Sequence, residues 1–178
     1  MLWVNLIMDG PPALALGADP TRPDVMDRPP RHPDTPILDN GRLRRLVLAG
    51  TVMAIGTIGV FAWMLDAYPD DDGRLAGTMA FTTFVLFQFV NAVNARLEHT
   101  TVFDRHTLRN GKLWLALAGV LALQILAVHV PTIGVVVDVV PLSLEQWLAA
   151  AGIACTLLVV EELRKALARV AMARKAPL

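Results

Sequence analysis

The sequence predicts an all-α fold: a polytopic transmembrane helix bundle in which one broken N-terminal helix precedes four spanning helices. Three observations predict it. The chain has 178 residues, of which 54% are apolar and only 18% charged, with a mean hydropathy of +0.50, whereas soluble domains carry about a quarter charged residues. So short a chain cannot cover that much apolar surface from water, and the same composition excludes disorder. The apolar residues fall in runs of membrane-spanning length, and fifteen of the sixteen basic residues lie in alternate connections between those runs, only Arg74 falling elsewhere.

Residues 1–18 (MLWVNLIMDGPPALALGA) are apolar enough to enter a membrane, but they contain Asp9 and the helix-interrupting Gly10, Pro11 and Pro12, and they lack the basic leader of a signal peptide. They are expected to form a partial, broken membrane helix, and Met1 is expected to be an internal methionine read as a start. Residues 19–45, rich in proline and arginine, follow as a cytoplasmic loop. Residues 46–65 hold no charge over twenty positions, and at ~1.5 Å per residue they match a hydrocarbon core of about 30 Å. The second span, 75–95, is also uncharged but carries Gln88, Asn91 and Asn94, amides that lipid cannot satisfy and that must face protein. Residues 113–130 form the third span, which Pro131 is expected to end. The fourth runs over 146–164 and continues into EELRKALARVAMARK, so that 46–164 make a four-span domain and 165–178 a basic cytoplasmic tail.

Charge orients the bundle. Arg42, Arg44 and Arg45 precede the first span, Arg105, Arg109 and Lys112 separate the second from the third, and Arg164 and Lys165 close the fourth. By the positive-inside rule these segments, with the C-terminus, face the cytoplasm, and the opposite loops hold Asp66, Asp70, Asp71, Asp72 and Asp138. Trp63, Trp114 and Trp147 lie near span ends, where interfacial aromatics are favoured. A formal net charge of zero supplies no basic field for a nucleic-acid partner; the lipid bilayer is the expected surrounding. The single cysteine, Cys155, has no internal disulfide partner, and the four histidines lack the spacing of a zinc or copper site.

Chemistry concentrates in residues 1–18. Asn5 and Asp9 are four apart and share a helix face. Pro11 and Pro12 lack the N–H groups that would bond the carbonyls of Ile7 and Met8, so two free carbonyls lie beside a carboxylate and an amide. Hard cations such as calcium favour that all-oxygen set, and a backbone break inside a membrane is tolerated where protein or a cavity meets it. The other reading of the same residues is a proline kink with Asp9 solvated at a helix end. Gln88, Asn91 and Ala95 lie near one face of the second span, with Asn94 to the side. Interhelical amide bonding is the plainer account of them, and Gln88 becomes a ligand only if it faces Asp9.

The stretch Leu2-Trp3-Val4-Asn5-Leu6-Ile7-Met8-Asp9-Gly10, followed by Asp24-Val25-Met26-Asp27-Arg28-Pro29-Pro30-Arg31, resembles the sixth membrane helix and following cytoplasmic loop of calcium-transporting P-type ATPases. Phe87-Gln88-Phe89-Val90-Asn91-Ala92-Val93-Asn94 and Leu144-Glu145-Gln146-Trp147-Leu148 extend the resemblance through the seventh to tenth helices, so that it covers essentially the whole chain. The resemblance implies that calcium is the transported ion, with no permanently bound cofactor, and that Asn5, Asp9 and Gln88 are the site residues. Endoplasmic-reticulum-type pumps have a threonine where this chain has Met8 and a glutamate where it has Gln88. Both departures look like the plasma-membrane type, which moves one calcium per cycle. A thioether is a poor partner for calcium, and glutamine brings no charge and exchanges no proton.

Neither the Asp-Lys-Thr-Gly phosphorylation motif nor the Thr-Gly-Glu loop of that family occurs in these 178 residues, and no Walker-type glycine loop is present. The expectation is a membrane fragment of a pump, set in the plasma (cell) membrane, that contributes part of an ion site and has no ATPase activity alone. Its partner would be the missing N-terminal catalytic part. The alternatives are a subunit of a split pump, or a scaffold or regulator that binds a full-length pump. Manganese and magnesium stay open beside calcium.

Overall fold

The computed structural model describes residues 10–17, 40–96 and 111–173. They form six helices: α1 (Gly10–Gly17), α2 (Asn40–Ala67), α3 (Arg74–Arg96), α4 (Gly111–His129), α5 (Pro131–Val137) and α6 (Leu144–Ala173). α2, α3, α4 and α6 are each long and apolar enough to cross a membrane, as the uncharged runs required. Their ends lie further out than the apolar runs because polar residues continue the helices beyond the hydrocarbon length: α2 is already helical at Asn40, six residues before position 46. The 19–45 loop is described only from residue 40, where it is already helix, and the 165–178 tail only as far as Ala173, still within α6.

Two local devices set the connections. A turn over residues 68–73 reverses the chain between α2 and α3. Gly73 adopts a positive φ of 78° there, and Asp71 Oδ2 accepts the backbone N–H of Leu75 at 2.7 Å, capping the first turn of α3. Pro131 does follow the end of α4, but it also begins something. With its φ preset and no N–H to satisfy, it starts the short helix α5. α5 ends at Asp138, which is left-handed (φ 58°) and pairs with Arg74 at the head of α3 (Nη2 to Oδ1, 3.0 Å). Trp147 Nε1–H of α6 donates to His129 Nε2 of α4 at 3.2 Å. These contacts place the 68–73 turn, α5 and the start of α6 at one end of the bundle, the loop end. Arg42, Arg44, Arg45, Lys112, Arg164 and Lys165 are all toward the other.

The core is built around α3. One face of it packs Ala76 and Met79 against Val60, Met64 and Ala150, and Phe87 against Met53, Ala154 and Leu157. That places α2 and α6 on the same side. α2 approaches so closely that a Cβ on Gly56 would lie 2.6 Å from the Phe87 ring, so any side chain there would require the ring to shift. A second face meets α4 and α1, where Val93 clusters with Leu113, Leu117 and Ala15. On α6 the buried positions Ala150, Ala154 and Leu157 are followed by Glu161 and Lys165. Their charges are held by neighbours on the same helix, Arg164 Nη2 to Glu161 Oε2 at 2.8 Å and Lys165 Nζ to Glu162 Oε1 at 2.9 Å.

Candidate ion-binding site

Asn5 and Asp9 lie outside the described residues, the first of which, 10–17, are helical. Gly10, Pro11 and Pro12, the residues expected to interrupt a helix, are the first described residues and lie within α1, where Pro11 and Pro12 supply no backbone N–H. Ala15 is buried against Leu113 and Leu117 of α4 and Val93 of α3, which fixes α1 in the groove between those two helices.

Gln88 is half-buried on α3. Its neighbours one turn away on the helix, Phe84 and Ala92, pack against the cluster around Phe87 and the cluster around Val93 respectively, so Gln88 lies between the two packed faces of α3, beside half-buried Phe81. No described side chain hydrogen-bonds Gln88. The helical repeat of 3.6 residues places Asn91 between Gln88 and the α6 face, and it too is half-buried.

The amide that is deeply buried is the one the sequence set to the side. Asn94 is 8% exposed, and neither its Nδ2 nor its Oδ1 has a hydrogen-bond partner among the described residues. A second buried amide, Gln124 of α4, donates from Nε2 to Thr82 Oγ1 of α3 at 3.2 Å, leaving its own Oε1 unpartnered. Sequence reading passed over Gln124, though a lone amide inside a 19-residue apolar helix is the signal that could have found it. Thr78 Oγ1 completes the polar seam on this side of α3, accepting the Val140 N–H at 3.0 Å and donating to the Arg74 carbonyl. Asp71, one of three consecutive aspartates, serves as the α3 cap. Among the described residues, no group of three or more His, Cys, Asp or Glu side chains is placed to hold a metal. The carboxylate and amide expected to do so precede α1.

Residues 1–167 match the model of the family described as cation transporting ATPase, C-terminus. The chain belongs to that family. It is similar to calcium-transporting ATPase type 2C member 2 of Mus musculus, 33% identical over 165 residues that cover 93% of this chain and 17% of the mouse protein. Type 2C member 1 of Homo sapiens is 31% identical over 172 residues, 95% of this chain and 18% of the human protein. Calcium-transporting ATPase 1 of Saccharomyces cerevisiae is 30% identical over 168 residues, 93% and 17%. This cation-transporting ATPase region thus spans less than a fifth of the length of the curated relatives it matches.

Proposed function

We propose that the chain is the C-terminal membrane part of a calcium-transporting P-type ATPase, and that Asn5, Asp9 and Gln88 supply part of the ion cage. The family match over residues 1–167 carries this reading, and a half-buried Gln88 between the two packed faces of α3 is consistent with it.

Calcium is the proposed cargo because an amide, a carboxylate and freed carbonyls form an oxygen set and because the relatives are named as calcium-transporting. Met8 and Gln88 in place of harder or charged ligands favour one ion per cycle. The catalytic part of such a pump is the proposed partner, supplying ATP hydrolysis and the remaining ligands. The basic end of the bundle, with the C-terminus, is assigned to the cytoplasm, in a plasma (cell) membrane.

Calcium uptake into vesicles tests this, using the chain assembled with the catalytic part of its pump. Asp9→Asn should abolish ATP-dependent uptake and Gln88→Leu should weaken apparent calcium affinity, while the chain alone hydrolyses no ATP. Unchanged uptake by Asp9→Asn would remove the ligand role and the transport reading with it.

A further inference from the structure

α5 does more than connect α4 to α6. It contains no charged residue, and its outward side presents Pro131, Thr132, Val135 and Val136, with Val135 78% and Val136 84% exposed. Its inward side is fixed in place. Gly134 is buried so tightly that a Cβ there would lie 3.2 Å from the Val139 carbonyl oxygen and 3.4 Å from that of Ala127. Beyond it, Asp138 bonds Arg74, the Val140 N–H bonds Thr78, and Val139 and Leu142 are buried. Rolling the helix to hide its valines against the bundle would break all of these. The valines are held outward.

The position of α5 says what covers them. A single residue, Val130, separates it from the end of a membrane-spanning helix, and α6 begins its own span at Leu144, so α5 lies at the membrane boundary. Leu144 and Leu148, at the head of α6, are also exposed, and the Trp147–His129 pair at the same end has the character of an interfacial anchor. The exposed apolar side of α5 thus adjoins surfaces that already face lipid, and lipid at the boundary between headgroups and acyl chains is the occupant that its uncharged surface suits.

We propose that α5 is an interfacial helix that embeds Val135 and Val136 in the lipid of the loop-end leaflet and, through Asp138–Arg74 and Val140–Thr78, fixes the depth of α3 in the bilayer. Nitroxide labels on Val135→Cys and Val136→Cys test it, each in a Cys155→Ala background of the full chain in phosphatidylcholine–phosphatidylglycerol vesicles. A label on Asp72→Cys in the exposed 68–73 turn gives the aqueous reference. At 135 and 136, collisions with oxygen should exceed those with a water-soluble nickel chelate, at a depth within about 10 Å of the headgroup boundary, and at 72 the order should reverse. Placing the double substitution Val135→Asp, Val136→Asp beneath a label on Gly77→Cys at the start of α3 should shift that label's depth. Nickel-dominated collisions at 135 and 136 would put α5 in water and overturn the proposal. Labels shielded from both reagents would put it under protein and overturn it equally, and an unmoved Gly77 label would remove the depth coupling.

Discussion

α2 and α3 are neighbours, both apolar enough to cross a membrane and joined by a six-residue turn, yet the bundle treats them oppositely. In the most apolar window of α3, half the residues are buried within the protein, against 11% in α2. α3 carries Thr78, Thr82, Thr83, Gln88, Asn91 and Asn94, while α2 shows Leu46, Val47, Ile55, Ile58 and Trp63 on its open side. The difference teaches where a membrane protein can place polarity. An amide in contact with lipid has no partner, so the helix that is surrounded by other helices holds the amides, and the helix at the edge holds the aliphatic side chains.

That contrast can be broken most decisively at Phe87, which is fully buried where α2, α3 and α6 meet. Phe87→Ala should cost about 3–5 kcal/mol in equilibrium unfolding in mixed micelles, while Ile58→Ala, on the exposed side of α2, should cost less than about 0.5 kcal/mol. Comparable losses would mean that α2 is packed as tightly as α3. Next in size is the crossing itself. Gly56→Val should cost about 1–3 kcal/mol through overpacking, and adding Phe87→Leu should recover part of it, because the ring is what the new side chain strikes.

A sharper version compares the two buried amides. Thr82→Val strands Gln124 Nε2 and should cost about 0.6 to 1.7 kcal/mol, the range for interhelical hydrogen bonds in membranes. Asn94→Leu removes an amide that has no partner among the described residues, so stability should hold or rise. A clear loss of stability in Asn94→Leu would show that the amide bonds something in the assembled protein. The smallest effect is expected at Arg74→Ala, because its pair with Asp138 is 49% and 80% exposed and such pairs contribute about 0–1 kcal/mol. Thermal unfolding at low and high salt would measure it.

The amino-acid order alone was enough to locate four spans and to identify the family. Span length is a local quantity: an uncharged run of about twenty residues either matches the hydrocarbon core or does not, and the string around Asn5 and Asp9 is specific in itself. It also placed three polar side chains on α3. It did not rank them, since the burial of each depends on which neighbouring helix covers which face. Only the packed bundle decided that Asn94 is enclosed while Gln88 and Asn91 stay half-open, that Gln124 reaches Thr82 across a separation of 42 residues, and that Pro131 starts a helix as well as following one. Those outcomes depend on contacts between segments far apart in the chain, and a pattern of hydropathy records how deep a residue sits in a membrane without recording what it touches there.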